Sequence, residues 1–202
     1  MQKCNDVTVR YAAPSDAAAV ASYIWQTDEY IYPAAVNSPD DGAWVDFIAR
    51  SLADENSVYF HGRVLVAEVC GKVVGACAFF RCGENLHFAL PVDGSIREGI
   101  EFVDCGYYRP LVEESRVKEG IYISNLCVDK AYRGRGIGTK LLDGLIALFP
   151  DCDIVLDVLE DNPAARRLYE KEGFTVTKHY FGFSGRAKMA VPCLEMVRRK
   201  SV

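Results

Sequence analysis

The sequence predicts an α/β fold with a mixed, mostly antiparallel sheet of about seven strands, a central parallel strand pair and flanking helices. Three observations support this prediction. First, two apolar runs in the first half of the chain are joined by residues typical of a hairpin turn. Second, the middle of the chain has the pattern of strand, helix, strand and helix in that order. Third, two runs rich in β-forming residues close the chain. Strands connected through a helix lie parallel in one sheet, whereas a hairpin makes its strands antiparallel. The predicted sheet is therefore mixed.

The first half of the chain is predicted to form a strand, two helices and a hairpin. Residues 7–12 alternate like a strand, and Ser15 is expected to cap the first helix. Residues 63–69 and 72–80 are strand-like runs that meet in a tight turn at Gly71. The second helix is predicted from apolar residues whose spacing keeps them on one face: Trp44, Phe47, Ile48 and Leu52.

The second half is predicted to alternate strands and helices before a final pair of strands. An apolar stripe predicts a helix that ends before Pro150. The next helix is expected to begin at Asn162, a favourable N-cap followed by Pro163, and to end at Gly173. Four runs of strand length are predicted to be strands: residues 121–128, 154–160, 174–183 and 193–197.

Residues 82–119 are predicted to form an insertion between the third and fourth strands. A structureless loop of that length would be unusual, and a capping box at 95–98 predicts at least one short helix in it. That helix would carry Glu98, Glu101 and Asp104. A solvated surface insertion and a lid or pocket wall both remain open.

Composition limits the classes of function. The 202 residues suit a single domain, 1–202, and the net charge of -5 argues against a nucleic-acid partner. The first residues have no apolar segment typical of a signal peptide, and no run reaches the roughly 20 apolar residues of a membrane span, so we expect a cytoplasmic protein with no membrane partner. The eight cysteines form no CxxC pair and have no histidine at ligand spacing, which predicts no metal site.

The stretch "RGRGIGTKLL" at residues 133–142 predicts an anion-binding loop at a helix N-terminus. A P-loop would need lysine directly after Gly138, and a dinucleotide fingerprint would need glycine in place of Thr139. The stretch instead meets an Arg-x-x-Gly-x-Gly pattern through Arg133, Gly136 and Gly138. Glycines let consecutive backbone N–H groups turn toward an anion, and a pyrophosphate would suit the loop. A plain glycine-rich turn is the alternative.

A second motif follows at the spacing and order found in one family. "DNPAARRLYEKEGF" at residues 161–174 contains Asn-x-x-Ala-x-x-x-Tyr-x-x-x-Gly-Phe. Together with "NLCVDKAYRGRGIGTKLL", "LDVLEDN", the hairpin "VAEVCGKVVGACAFF" and the closing "CLEMV", it resembles the GNAT family of N-acetyltransferases. The resemblance covers most of the chain except the insertion.

The resemblance implies that acetyl-CoA is the cosubstrate and binds where the fourth and fifth strands separate. It implies that the backbone of Leu126, Cys127 and Val128 pairs with the pantetheine arm like an added strand. The residues expected to surround the pyrophosphate are Arg133, Gly134, Arg135, Gly136, Ile137, Gly138 and Thr139. Asn162 would contact the pantetheine or the reacting region, and Tyr169 would lie near the sulfur and donate a proton to the thiolate. A simple N-cap and a core residue are the respective alternatives.

The general base is the weakest part of this interpretation. Many family members place a carboxylate near the fourth strand, but the matching stretch offers only Ser124 and Asn125. Glu101 or Asp104 of the insertion, or a relay through Ser124, would substitute, and deprotonation of the amine before binding is also open.

The expected function is transfer of an acyl group, preferably acetyl, from acyl-CoA to a primary amine by direct attack. The acceptor would be a small-molecule amine or a peptide amine. The alternatives are a catalytically inactive acyl-CoA-binding module of the same fold and, less favoured, a nicotinamide-dinucleotide protein. The sequence leaves the oligomeric state open, with a homodimer as one option.

Overall fold

One mixed sheet organises the computed structural model, which describes residues 6–27, 41–84, 86, 120–184 and 189–200. Within these residues the strands are β1 (Val7–Tyr11), β2 (Val64–Val69), β3 (Lys72–Arg81), β4 (Gly120–Val128), β5 (Asp153–Leu159), β6 (Thr175–Ser184) and β7 (Met189–Arg198). Their order across the sheet is β1-β2-β3-β4-β5-β7-β6. β4 and β5 are parallel and every other neighbouring pair is antiparallel. The predicted fold class is confirmed.

Helices cover both faces of this sheet. They are α1 (Ala17–Thr27), α2 (Asp41–Ser51), α3 (Ile137–Leu148) and α4 (Pro163–Lys171). Side chains alternate between the faces of a strand, so Ala78 and Phe80 of β3 join the core under α1 and α2, while Cys77 and Phe79 join the core under α3 and α4. We call the α1 and α2 side the front face and the other side the back face.

The turn between β2 and β3 has the predicted position. Cys70 and Gly71 both have positive φ angles, 51° and 79°, as the two central residues of a type I′ turn require. The turn twists in the same sense as the strands it joins, and β3 starts at Lys72 directly after it.

The start of α1 differs from the prediction that Ser15 caps it. Ser15 lies within a 3-10 turn, Pro14–Asp16, and the Asp16 carboxylate accepts the Ala13 N–H at 2.7 Å. Asp16 also pairs with Arg10 of β1 at 2.7 Å, which lowers the pKa of its carboxyl. A carboxylate can hold the turn and an arginine of the sheet together, which a serine hydroxyl does less strongly.

Most of the predicted insertion lies outside the described residues. This applies to Glu98, Glu101 and Asp104 and to the helix expected to carry them. The single-domain assignment of 1–202 and the role of the insertion stay predictions. None of the helices in the described part of the chain is long and apolar enough to cross a membrane.

Candidate active site

The site begins where the parallel strands β4 and β5 separate. Their pairing runs from Gly120 opposite Asp153 to Ile123 opposite Leu156. β4 then continues to Val128, while β5 continues along β7 to Leu159. Among the described residues, no strand pairs with this edge of β4 beyond Ile123, and we call this gap the β4–β5 opening.

A β-bulge marks the inner end of the opening. Phe79 of β3 pairs with Ile123, but Ala78 pairs with Asn125, so Ser124 is an extra residue in β4. Its hydroxyl donates to the Ala78 carbonyl at 3.2 Å. A bulge changes the direction of the strand and of its backbone groups, which suits a strand that leaves its parallel neighbour.

The backbone of β4 presents alternate residues to the opening. The Asp129 N–H donates to the Val74 carbonyl of β3 at 2.9 Å, so Asp129 and Cys127 point their backbone groups toward β3, while Leu126 and Val128 point into the opening. Of the three residues expected to pair with pantetheine, Leu126 and Val128 are thus placed for it. Cys127 instead extends the ladder with β3, and burial raises the pKa of its thiol.

The glycine loop ends at the N-terminus of α3. Gly134 and Gly136 have φ angles of 75° and 74°, and Gly136 is the N-cap residue, with nothing within 4 Å of where a Cβ would stand. The first intrahelical bond joins the Lys140 N–H to the Gly136 carbonyl at 3.0 Å. The N–H groups that precede it, those of Ile137, Gly138 and Thr139, have no helical acceptor and are available to an anion.

Two arginines border this loop. Arg133 donates from Nε to the Val128 carbonyl at 3.0 Å, and Arg135 donates to the Ala131 carbonyl at 3.1 Å. The Arg135 guanidinium also lies 5.0 Å from the centre of the Tyr132 ring. Both side chains are exposed and add positive charge beside the helix N-terminus. Since Arg133 occupies the Val128 carbonyl, the N–H is the Val128 group that remains for a ligand.

Gly138 also has a packing role. A Cβ at this position would lie 2.9 Å from Cδ2 of Leu168 in α4, closer than real contacts allow. The glycine therefore lets α3 and α4 approach each other. The neighbouring Ile137 side chain is buried in the back core, so only its backbone can contact a ligand.

α4 and its N-cap supply the two remaining predicted cofactor contacts. Asn162 accepts the Ala165 N–H through Oδ1 at 3.1 Å, which confirms the N-cap. Tyr169 is only 7% exposed and packs against Phe174 with ring centres 5.7 Å apart. Burial raises the pKa of Tyr169, followed by a smaller effect of Cys77. The phenol therefore stays protonated at neutral pH, as a proton donor must.

A polar cluster on the front face was not predicted from the sequence. Asp157 of β5 accepts a hydrogen bond from the Tyr122 hydroxyl of β4 at 2.7 Å, and the nearby Tyr180 hydroxyl of β6 lowers the pKa of its carboxyl. Its cross-strand neighbour on β7, Glu195, is buried and accepts from the Thr177 hydroxyl at 2.5 Å. We call Tyr122, Asp157, Tyr180 and Glu195 the acidic front cluster. The signal available in the sequence was one acid inside the apolar strand "IVLDVL".

Opposing effects act on the Asp157 carboxyl. Burial raises its pKa most, and the Glu195 charge adds to the rise. The hydroxyls of Tyr180 and Tyr122 and the charge of Lys178 act in the opposite direction and lower its pKa. The net result is a raised pKa of the Asp157 carboxyl, although the Tyr122 hydroxyl still donates a hydrogen bond that favours its ionised form.

Asn125 is a buried polar residue of β4 that contacts α1. It is 7% exposed, and its Nδ2 donates to the Thr27 hydroxyl at the end of α1 at 3.1 Å. Its Oδ1 is buried and has no hydrogen-bond partner within the part of the chain that the structure describes. Of the predicted base or relay candidates, Ser124 lies at the bulge, while Glu101 and Asp104 fall outside the described residues.

The relatives of similar sequence include named acetyltransferases. A spermine/spermidine N(1)-acetyltransferase of Bacillus subtilis is 32% identical over 97 residues, which is 45% of this chain and 62% of that protein. The N-alpha-acetyltransferase RimI of Mycobacterium tuberculosis is 38% identical over 66 residues, 31% of this chain and 42% of that protein. The match thus spans less than two thirds of either relative.

Solved structures extend the likeness to nearly the whole chain. An N-acetyltransferase from Staphylococcus aureus Mu50 is 25% identical with a TM-score of 0.73, over 94% of this chain and 99% of that one. A Salmonella typhimurium protein solved with its cofactor acetyl-CoA shares the fold at 22% identity and a TM-score of 0.59, over 96% and 94%. The model of the Acetyltransferase (GNAT) family matches residues 21–174. The chain therefore belongs to the GNAT family of acetyltransferases.

Proposed function

We propose that this protein transfers an acetyl group from acetyl-CoA to a primary amine by direct attack on the thioester. The observation that carries the proposal is the continuity of the β4–β5 opening with the glycine loop. The unpaired edge of β4 runs from the bulge at Ser124 to Val128, and Arg133 of the loop hydrogen-bonds to that last residue. A ligand with an extended arm and an anionic end would fit such a path.

The cofactor is proposed to follow this path. The backbone groups of Leu126 and the N–H of Val128 would pair with the pantetheine amides, and the N–H groups of Ile137, Gly138 and Thr139 would hold the pyrophosphate. The exposed charges of Arg133 and Arg135 favour the same anion. The Salmonella typhimurium structure with acetyl-CoA supports this choice of cofactor.

The reaction would take place at the inner end of the opening. A neutral amine attacks the thioester carbonyl, and the charge that develops on its oxygen is stabilised by a β4 N–H such as that of Leu126 or Val128. Tyr169, whose phenol is protonated at neutral pH, would give its proton to the departing thiolate.

The acceptor is proposed to be an amine, either a small molecule or the N-terminus of a peptide. The two kinds of relative give both options, since one is named for spermine and spermidine and the other for N-alpha acetylation.

Calorimetric titration with acetyl-CoA tests the cofactor, with NAD and ATP as controls. We expect saturable binding of acetyl-CoA alone. Release of free thiol from acetyl-CoA, measured with spermine and with a short peptide that has a free N-terminus, then tests transfer. Binding without amine-dependent thiol release would instead indicate an acyl-CoA-binding module, and no binding by a folded sample would reject the proposed function.

A further inference from the structure

We propose that Asp157 is the base that accepts a proton from the acceptor ammonium, within an amine site formed by the acidic front cluster. The proposal rests on the proposed acetyl transfer and adds the residue that performs the proton step. It places the base on β5, whereas the sequence predictions looked for it in the insertion or on β4.

The position of Asp157 in the sheet is the first argument. The last β4–β5 pair is Ile123 with Leu156, so Asp157 is the first β5 residue beyond the point of separation. The bulge at Ser124 is the corresponding point on β4. The carboxylate therefore lies at the inner end of the opening, where the unpaired β4 edge that would hold the acetyl group begins.

The two faces of the sheet give the second argument. Asp157 bonds to Tyr122, which packs against the front core, whereas Tyr169 is buried in the back core. An acetyl group held between the strands would have the carboxylate on one side and the phenol on the other. An amine that enters from the front meets the base first, and the thiolate leaves on the side of the proton donor.

The charges of the cluster suit a cation. Asp157 and Glu195 are neighbours across β5 and β7, and the rings of Tyr122 and Tyr180 lie in the same cluster. Two carboxylates and two aromatic rings favour an ammonium ion. Lys178 already illustrates this preference, because its Nζ lies 5.5 Å from the centre of the Tyr180 ring and its charge stabilises the Asp157 carboxylate.

The raised pKa of Asp157 supports the role. A carboxyl with its ordinary pKa of about 3.9 is a weak acceptor for an ammonium proton, and a higher pKa improves the transfer. Among the described residues, the Glu195 charge raises the pKa of this carboxyl, and the hydroxyls of Tyr122 and Tyr180 and the charge of Lys178 lower it. The hydrogen bond from Tyr122 orients the Asp157 carboxylate, and the charge of Glu195 raises its pKa.

The proton and electron changes are as follows. The acceptor R–NH3+ gives one proton to the Asp157 carboxylate, and the neutral nitrogen forms a C–N bond to the thioester carbon. The C–S bond breaks and the CoA sulfur leaves with the electron pair. Tyr169 protonates that sulfur and regains a proton from the nitrogen. The products are the amide, CoA thiol and one proton, which Asp157 releases to solvent.

The Asp157→Asn variant is the first test. We expect thiol release with spermine to fall about 100-fold in kcat, the usual size of a general-base contribution, with unchanged affinity for acetyl-CoA by calorimetry. The loss should be smaller for a peptide α-amine, with a pKa of about 7.7 to 8.0, than for an alkylamine with a pKa of about 10.4, because more of the α-amine is neutral without help.

Two further variants separate a proton role from a structural role. Tyr122→Phe removes a donor to the ionised form and should move the acidic limb of the kcat/KM profile to higher pH. Glu195→Gln keeps an acceptor for Thr177, removes the neighbouring charge, and should move that limb to lower pH.

Shifts of the acidic limb in opposite directions in Tyr122→Phe and Glu195→Gln would support Asp157 as the base. Wild-type kcat in Asp157→Asn, or an acidic limb that neither variant moves, would overturn the assignment while leaving acetyl transfer intact. If the wild-type protein binds no acetyl-CoA or releases no thiol with any amine, the proposed function itself fails.

Discussion

The proposed cofactor side and the proposed acceptor side of the β4–β5 opening are built in different ways. The cofactor side consists mainly of backbone groups, namely the free edge of β4 and the first N–H groups of α3, with glycines at the positions where φ is positive. The acceptor side consists of side chains from four strands, Tyr122, Asp157, Tyr180 and Glu195. A backbone site demands particular residue types at fixed local spacing, whereas a side-chain site can be assembled from distant residues.

Tyr169→Phe tests the catalytic contribution of the cofactor side and has the largest expected effect. The variant removes only the proton donor from a buried ring, so we expect kcat to fall about 100-fold with nearly unchanged affinity for acetyl-CoA. Thiol release and calorimetry measure the two quantities.

Tyr23→Phe is the matched control for this variant. Tyr23 is also buried, and it donates to the Val73 carbonyl at 3.1 Å on the front side of β3. We expect a small loss of stability and no loss of kcat. Equal activity of Tyr169→Phe and wild type would return Tyr169 to a purely packing role against Phe174.

Gly136→Asp tests the anion site at α3. The carboxylate would lie beside the free N–H groups and repel a pyrophosphate, so we expect affinity for acetyl-CoA to fall roughly 10-fold or more, a change of about 1.4 kcal/mol or above. Gly136→Asn is the control, because it brings the same backbone strain at φ 74° without the charge. Equal losses in both variants would assign the effect to strain and remove the loop from the anion site.

The contrast between the two sides also explains what the sequence could predict. Gly136 and Asn162 act locally, as N-cap residues whose types are set by backbone geometry, and both were found from their motifs. The antiparallel pairing of β2 with β3 followed from a hairpin at Gly71, and the parallel pairing of β4 with β5 followed from a helical crossover. Asp157 and Glu195 meet only because β5 pairs with β7, which no local pattern encodes.

Two details of the sequence prediction differ from the structure for the same physical reason. Ser15 has a suitable side chain for a cap, but Arg10 on β1 makes Asp16 the better choice through an ion pair across the fold. Cys127 was grouped with Leu126 and Val128 by the motif, although strand alternation turns its backbone toward β3. In both cases, contacts with residues distant in the sequence determined the local structure.

Asp16→Ala tests how the start of α1 is anchored on the front face of the sheet. Asp16 holds the turn before α1, and α1 positions Thr27 against Asn125. We expect a loss of about 1 to 2 kcal/mol in the free energy of unfolding, since both a cap and a charged hydrogen bond are removed. Urea unfolding measures it.

The pH dependence of that loss has a defined sign. The pKa of Asp16 is lowered in the folded state, mainly by Arg10, so its contribution is present above the unfolded value of about 3.9 and disappears as pH falls through the folded value. The stabilities of wild type and Asp16→Ala should therefore converge in acid. A difference that stays constant from pH 7 to below pH 3 would contradict the ion pair.

Asn162→Ala has the smallest expected effect and separates two roles of one residue. The variant removes the acceptor of the Ala165 N–H, and loss of such a cap costs about 1 kcal/mol of stability. Asn162→Ser keeps a capping oxygen but loses the amide donors. If Asn162 only caps α4, the serine variant should match wild type in both stability and affinity for acetyl-CoA. If its amide also contacts the cofactor, the serine variant should keep stability and lose affinity, which would extend the cofactor side from backbone groups to a side chain.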